Sequence, residues 1–143
     1  MGNADDTMGS VELPKVPEII AESDAITVTK DDGTKVSYYI FPEFEVHANT
    51  IVAGTVQNWH YHKAIEEIIF VTSGQIEVLW LDEKKQKVSK TLKPGDLCRL
   101  GGSVHNVANN TEETATFLVY RLIPTGKNQH ALIKGDRYSV EVD

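Results

Sequence analysis

Short runs rich in β-branched and aromatic residues recur along this chain, and turn residues separate them at intervals of roughly 8 to 12 residues. The turn at 31–33 reads Asp-Asp-Gly, and the turn at 94–96 reads Pro-Gly-Asp. No segment has a convincing helical period. The predicted strands span residues 26–30, 35–41, 44–47, 50–53, 67–72, 75–81, 87–92, 97–100, 104–108, 114–123 and 138–142. This pattern predicts an all-β sandwich or barrel.

The first 23 residues differ from the rest of the chain. Residues 1–10 are polar and acidic with nothing periodic to bury, which is typical of a flexible tail. Pro14 and Pro17 then precede an apolar stretch at 19–21, which favours an extended arm with at most one helical turn. We therefore expect a tail and arm over 1–23 and one β domain over 24–143. An apolar arm without a local partner also predicts a homodimer.

Composition excludes several classes of function. The chain has 143 residues, of which 41% are hydrophobic, so it can bury a core of its own. Its net charge of -7 opposes phosphate backbones and anionic membrane surfaces, and neither nucleic acid nor a membrane is expected as a partner. A single cysteine, Cys98, excludes an internal disulfide, so the cytoplasm is the expected compartment.

The stretch from 54 to 74, GTVQNWHYHKAIEEIIFVTSG, carries the chemistry. His60 and His62 are two residues apart, so on an extended strand both side chains leave the same face. A carboxylate follows after a short loop, at Glu66 or Glu67, and His105 further on supplies a third imidazole. Such mixed nitrogen and oxygen donors suit iron, manganese, nickel, copper or zinc.

These residues resemble the two motifs of the cupin family. The first motif, G-x5-H-x-H-x3-4-E-x6-G, is met in register by Gly54, His60, His62, Glu67 and Gly74. Its closing interval selects Glu67 over Glu66.

The second motif, G-x5-P-x-G-x2-H-x3-N, is met by Gly95, Gly102, His105 and Asn109. Here the loop is one residue shorter, and Leu100 stands where the family has proline.

The resemblance implies a double-stranded β-helix of the jelly-roll kind. It also implies that His60, His62, Glu67 and His105 hold one divalent metal ion, which could be Fe, Mn, Ni, Zn or Cu, with a slight preference for Fe(II). Alternation adds that Ile69, Val71 and Val107 share the parity of these ligands and make the wall apolar.

In the cupin family such a site serves oxidoreductases, isomerases, lyases and binding domains. We expect a small-molecule metalloenzyme of the dioxygenase-like oxidoreductase type. The alternatives are a metal-dependent isomerase or lyase acting on a sugar or carbonyl compound, and a non-catalytic small-molecule-binding or sensor domain. Gln57 and Arg121 are the candidate anchors for an anionic or carbonyl substrate. Glu66 or Tyr61 is the candidate base in an isomerase or lyase.

Residues outside the two motifs receive ordinary structural interpretations. His47 and His130 are expected at the surface. Cys98 is expected to be a small buried hydrophobe, and Asn109 to secure a turn.

Overall fold

The computed structural model describes residues 13–123 and 130–142, and the predicted tail at 1–10 lies outside them. The described elements are eleven strands, one short α-helix and one 3-10 turn, Glu22–Asp24. The strands are β1 Ile26–Thr29, β2 Lys35–Ile40, β3 Phe44–Ile51, β4 His60–Tyr61, β5 Glu66–Ser73, β6 Ile76–Leu81, β7 Lys87–Leu92, β8 Leu97–Arg99, β9 His105–Ala108, β10 Ala115–Leu122 and β11 Tyr138–Ser139. The helix is α1, His130–Gly135.

These strands form two antiparallel sheets. One sheet has the order β1-β2-β3-β10-β5-β8, and the other has the order β11-β4-β9-β6-β7. Some strands that are distant in sequence are neighbours in the sheet: β10 lies between β3 and β5 and pairs with both. The predicted all-β jelly-roll architecture is confirmed.

Alternating burial explains how the sheets enclose a core. Along β3, β5 and β10 every second side chain is buried, as expected for strands with one face turned inward. The predicted wall residues Ile69, Val71 and Val107 are all buried in the main core cluster. Polar side chains interrupt this apolar core, above all on β3, where Glu45, His47 and Asn49 share the inward face with Ile51.

One predicted interruption in the strands is wrong. The residues at 48 and 49 were expected to separate two strands, but β3 runs through them without a break. Asn49 lies between Val36 of β2 and Phe117 of β10, so a strand pairs with each side of its backbone. Its side-chain amide donates to the carbonyl of His47, which satisfies a buried polar group.

Two further differences concern the C-terminal segment, whereas the turn at Asn109 agrees with its prediction. Helix α1 was not predicted, because its six residues are too few to show a period, and β11 is shorter than the predicted 138–142 strand. Gly74 has a φ of 69°, and a Cβ there would lie 2.7 Å from the Cα of Ala115. Asn109 does secure a turn, since its amide donates to the carbonyls of Ile51 and Glu113.

Asp136 fastens the C-terminal segment to the loop between β4 and β5. Its carboxylate accepts hydrogen bonds from the backbone N–H groups of Lys63, Ala64 and Ile65, at 2.7 to 3.1 Å. Burial raises the pKa of this carboxyl, but the three N–H groups outweigh that effect and hold its pKa below its ordinary value. Its backbone carbonyl accepts a hydrogen bond from Nδ1 of His62.

Replacing Asp136 with Ala should lower the free energy of unfolding by about 2 to 4 kcal/mol, because three backbone N–H groups lose a charged acceptor. Urea unfolding measures this loss. Asp82→Ala is the matched control, since that carboxylate accepts from two N–H groups on an exposed hairpin tip where water can replace it. Its loss should stay below about 1 kcal/mol. Equal losses in the two variants would contradict the anchoring role of Asp136.

The described part of the N-terminal arm exposes apolar side chains. Leu13, Val16 and Ile19 are 82%, 70% and 88% exposed. Burying the apolar surface of the arm requires a second surface, and the edge strand β1 offers one with Ile26 and Val28 exposed.

None of the helices in the described residues is long and apolar enough to cross a membrane.

Homodimerisation through this arm stays a prediction. The intact protein should have twice the 15.9 kDa chain mass in light scattering, and deletion of residues 1–23 should reduce it to one chain mass. Lys15→Ala serves as the control within the arm, because it changes an exposed charge and leaves the apolar residues in place. A monomeric intact protein would show that the arm has another role.

Candidate metal centre

The four candidate ligands come from both sheets and converge between them. His60 begins β4 and lies opposite His105, the first residue of β9. His62 follows directly after β4, and Glu67 lies on β5 of the other sheet. The two-residue spacing turns His60 and His62 to the same inner face, and Glu67 shares the inward parity of Ile69.

Their side chains form one buried cluster. The four residues are between 1% and 4% exposed, and their ligand atoms all lie within 4.8 Å of one another. The Nε2 atoms of His62 and His105 each lie 3.4 Å from a different oxygen of the Glu67 carboxylate. The structure thus brings together all four residues that the motifs nominated.

Backbone carbonyls set the tautomer of each histidine. The Nδ1 of His60 lies 2.8 Å from the carbonyl of Asn58, and the Nδ1 of His105 lies 2.9 Å from the carbonyl of Ser103. The carbonyl of Asp136 takes the same role for His62. Because a carbonyl can only accept, each Nδ1 carries the proton and each Nε2 keeps its lone pair for a ligand.

The cluster fits a divalent metal ion. The Nε2 atoms of His62 and His105 are buried without a hydrogen-bond partner among the described residues, an arrangement that is unfavourable unless another group binds them. Burial lowers the pKa of His60 to about 3, so this imidazole is neutral at physiological pH. Neutral imidazoles and an ionised carboxylate are the forms that bind metal.

Glu67 is kept ionised by its neighbours. Burial raises its pKa, but the positive charge beside the carboxyl outweighs burial and holds the pKa well below its ordinary value. Arg121 contributes most to this lowering, and its Nε donates to Oε2 of Glu67 at 2.5 Å. The carboxylate therefore remains charged although it is buried.

The two predicted anchors lie beside the cluster. Arg121 and Gln57 both line a cavity of about 30 Å³ that adjoins His60, Glu67 and His105. Gln57 donates through Nε2 to a threonine hydroxyl 3.4 Å away. This cavity has room for one water-sized group.

The two predicted bases do not reach the cluster. Tyr61 follows His60 on the same strand, so its side chain leaves the opposite face and stacks on Tyr138 at 5.1 Å. Glu66 likewise precedes Glu67 and pairs with Arg99, whose side chain is exposed. Alternation therefore turns both candidates away from the metal cavity.

His47 was expected at the surface, but it is buried. Its Nε2 lies 2.8 Å from Oε1 of Glu45, and both side chains are 4% exposed. The signal in the sequence was parity, since His47 and Glu45 share a strand face with buried Ile51. Splitting β3 into two strands concealed that signal. The side chain of His130 lies outside the described residues.

Other functional residues were missed altogether. Lys30 and Arg137 line the small cavity beside the ligands, and Asp136 orients His62. No local pattern marked any of them. Cys98 was expected to be buried and is half-buried against the core, where burial raises the pKa of its thiol.

Comparison with known proteins agrees with this architecture. The family model described as the cupin domain matches residues 49–121, which is just over half of the chain. No curated protein matches the sequence.

Several solved structures share the fold at low sequence identity. A variant of oxalate decarboxylase from Bacillus subtilis has a TM-score of 0.69 at 17% identity, over 90% of this chain and 34% of that one. The polyketide cyclase RemF from Streptomyces resistomycificus has a TM-score of 0.68 at 14% identity, over 90% and 88%. Oxalate oxidase in complex with the substrate analogue glycolate has a TM-score of 0.60 at 16% identity, over 73% and 59%.

At these identities the likeness shows the fold alone, and the chain spans only about a third of the length of oxalate decarboxylase. The match to the family model covers both halves of the buried cluster, from before His60 to beyond His105. This chain therefore belongs to the cupin family.

Proposed function

We propose that this cupin is a metal-dependent enzyme for a small molecule, of the dioxygenase-like oxidoreductase type, with an enol- or carboxylate-bearing substrate. The observation that carries the proposal is the pair of buried Nε2 atoms on His62 and His105, which have no partner among the described residues and lie around an ionised carboxylate. Fe(II) is the favoured ion, since histidine and carboxylate ligands with open positions suit it.

The residues of the chain divide the work at this site. His60, His62, Glu67 and His105 would hold the ion, which when bound supplies Lewis-acid and oxygen-activating chemistry. Arg121 holds the Glu67 carboxylate in place through its Nε–H. The predicted apolar wall is only partly present, since polar and charged side chains outnumber apolar ones around this cavity. The burial of the cluster and the small size of the cavity restrict water, which strengthens electrostatic interactions there.

Arg121 and Gln57 are proposed to orient the substrate. The two Nη nitrogens of Arg121 have no acceptor among the described residues, so they are available to an oxygen of the substrate. Gln57 lines the same cavity and offers an amide group.

A metal-dependent isomerase or lyase is the second candidate, and one observation favours it. The buried pair of His47 and Glu45 lines a larger cavity that shares Arg121 with the metal site. Burial lowers the pKa of His47 more than its hydrogen bond to Glu45 raises it, so the ring is neutral and could accept a proton. This histidine replaces Tyr61 and Glu66 as the candidate base.

The proposal also includes a cellular setting. A small-molecule substrate agrees with the net charge of -7, which opposes nucleic acid and anionic membranes. A single cysteine with a raised pKa agrees with the cytoplasm, where thiols stay reduced.

Protein purified without chelator should contain about one divalent ion per chain, and His105→Ala should lose nearly all of it, because one of the four ligands is removed. Elemental analysis by mass spectrometry measures the content. His47→Gln is the matched control, since it changes a buried histidine outside the cluster and should retain the metal. Equal loss in both variants would point to a general disturbance of the barrel.

Anaerobically reconstituted Fe(II) protein should consume oxygen when it is given simple diketones, enols or hydroxylated aromatic acids, and His105→Ala should not. An oxygen electrode measures this reaction. Under the oxidoreductase proposal, His47→Gln should still consume oxygen.

If Zn(II) or Ni(II) protein isomerises or cleaves a sugar or carbonyl compound without oxygen, and His47→Gln abolishes this activity, the isomerase or lyase proposal replaces the oxidoreductase proposal. Inactivity in both assays would favour a domain that only binds or senses a small molecule.

A further inference from the structure

Three cationic side chains gather beside the metal cluster. Lys30, Arg121 and Arg137 line the small cavity next to the ligands, where Glu67 is the one carboxylate among the lining residues. Arg121 is 16% exposed and pairs with Glu67. Lys30 is half-buried and Arg137 is exposed, and neither has a carboxylate within ion-pair distance in the part of the chain that is described.

This grouping is electrostatically unfavourable on its own. Burial and the guanidinium groups of Arg121 and Arg137 lower the pKa of Lys30, and they outweigh the carboxylates of Asp32 and Glu67, which raise it. A Nη nitrogen of Arg137 also lies 3.4 Å from Nδ1 of His60, which already donates to a carbonyl, so this contact does not satisfy the guanidinium. A divalent ion at Glu67 would add to the excess of positive charge. An anion among the three cations would relieve it.

The same three cations connect the metal site with a second cavity. Lys30, Arg121 and Arg137 also line a larger cavity of about 400 Å³. Its other lining residues are the apolar side chains Ile26, Val28, Tyr38, Ile40 and Ile133, together with Glu45, His47 and Lys134. The cations thus lie between a water-sized space beside the metal and an apolar chamber.

Size decides which part of a ligand can lie in each cavity. The space of about 30 Å³ admits only a small group, whereas 400 Å³ holds roughly a dozen non-hydrogen atoms at about 30 Å³ each. A molecule that is charged throughout would leave the apolar chamber unfilled. A neutral molecule would leave Lys30 and Arg137 without an ion-pair partner among the described residues.

We infer that Lys30, Arg121 and Arg137 form an anion-binding subsite, and that the ligand of this site is an amphipathic carboxylate with its apolar body in the larger cavity. This inference rests on the proposed function in taking the metal cavity as the place of reaction. It narrows the substrate class to carboxylates that carry an apolar group of moderate size.

Binding of three probes to Zn(II)-loaded protein tests the inference without oxygen chemistry. 3-Phenylpropanoate carries the charge and the apolar body, 3-phenylpropanamide has nearly the same shape without the charge, and acetate has the charge alone. By calorimetry, 3-phenylpropanoate should bind at least about tenfold more tightly than either of the others.

Variants separate the charged subsite from the apolar cavity. Lys30→Met and Arg137→Met should each weaken 3-phenylpropanoate binding by about tenfold or more, because each removes one charge-assisted contact. Lys90→Met on β7 of the other sheet is the matched control and should bind as the wild type does. Ile40→Trp should narrow the larger cavity and weaken 3-phenylpropanoate binding while leaving acetate binding unchanged.

Thermal melting confirms that each variant is folded. Equal affinity for the amide and the carboxylate, unchanged binding by Lys30→Met and Arg137→Met, or no binding of 3-phenylpropanoate up to about 10 mM would each overturn the inference. If the protein binds 3-phenylpropanoate but consumes no oxygen, the proposed oxidoreductase function is wrong and the anion-binding subsite is retained. If the protein consumes oxygen with a neutral enol but binds no carboxylate, the subsite is wrong and the oxidoreductase function is retained.

Discussion

The buried carboxylate of Glu67 is the group on which the rest of this site depends. A buried charge is unfavourable unless it is compensated, and here the Arg121 guanidinium pairs with the carboxylate while the Nε2 atoms of His62 and His105 lie 3.4 Å from its oxygens. Those imidazoles present lone pairs and not protons, because backbone carbonyls already accept from their Nδ1 atoms. Among the described residues the Nε2 atoms of His62 and His105 therefore have no donor, and a cation would satisfy both these atoms and the carboxylate.

Supporting contacts tie this cluster to the closing segment of the chain. Asp136 holds the loop after β4 with its carboxylate and orients His62 with its carbonyl, so one residue joins the C-terminal segment to a metal ligand. Arg137, the next residue, reaches the ring of His60. The position of the C-terminal segment and the geometry of the ligands are thus coupled, as is usual where neighbouring groups orient the ligands of a metal.

The fold itself does not select a reaction, since an oxidase, a decarboxylase and a cyclase share it at low identity. What distinguishes this chain is the surroundings of the ligands. A water-sized space adjoins the cluster, three cations border that space, and an apolar chamber lies beyond them. Charge and cavity size are the features that discriminate among substrates, because they decide which groups can be desolvated there.

The ligand set could be found from the sequence because it depends on local geometry. The period of two in a strand turns His60 and His62 inward together, and the same alternation with the motif spacing selects Glu67 over Glu66. Many short strands with turn residues between them were likewise enough to predict two facing sheets.

Only the tertiary structure decided what surrounds the ligands. Asp136 meets Lys63 across 73 positions of sequence and Arg137 meets His60 across 77, so no local period could reveal either contact. Lys30 lies in the N-terminal part of the chain, just before the turn at 31–33, and only the fold brings it beside the cavity. Side-chain alternation acts within one strand and can be read from the sequence. The packing of distant segments depends on the whole fold, which is why the ligands were predicted and the groups that set their charge and their access were not.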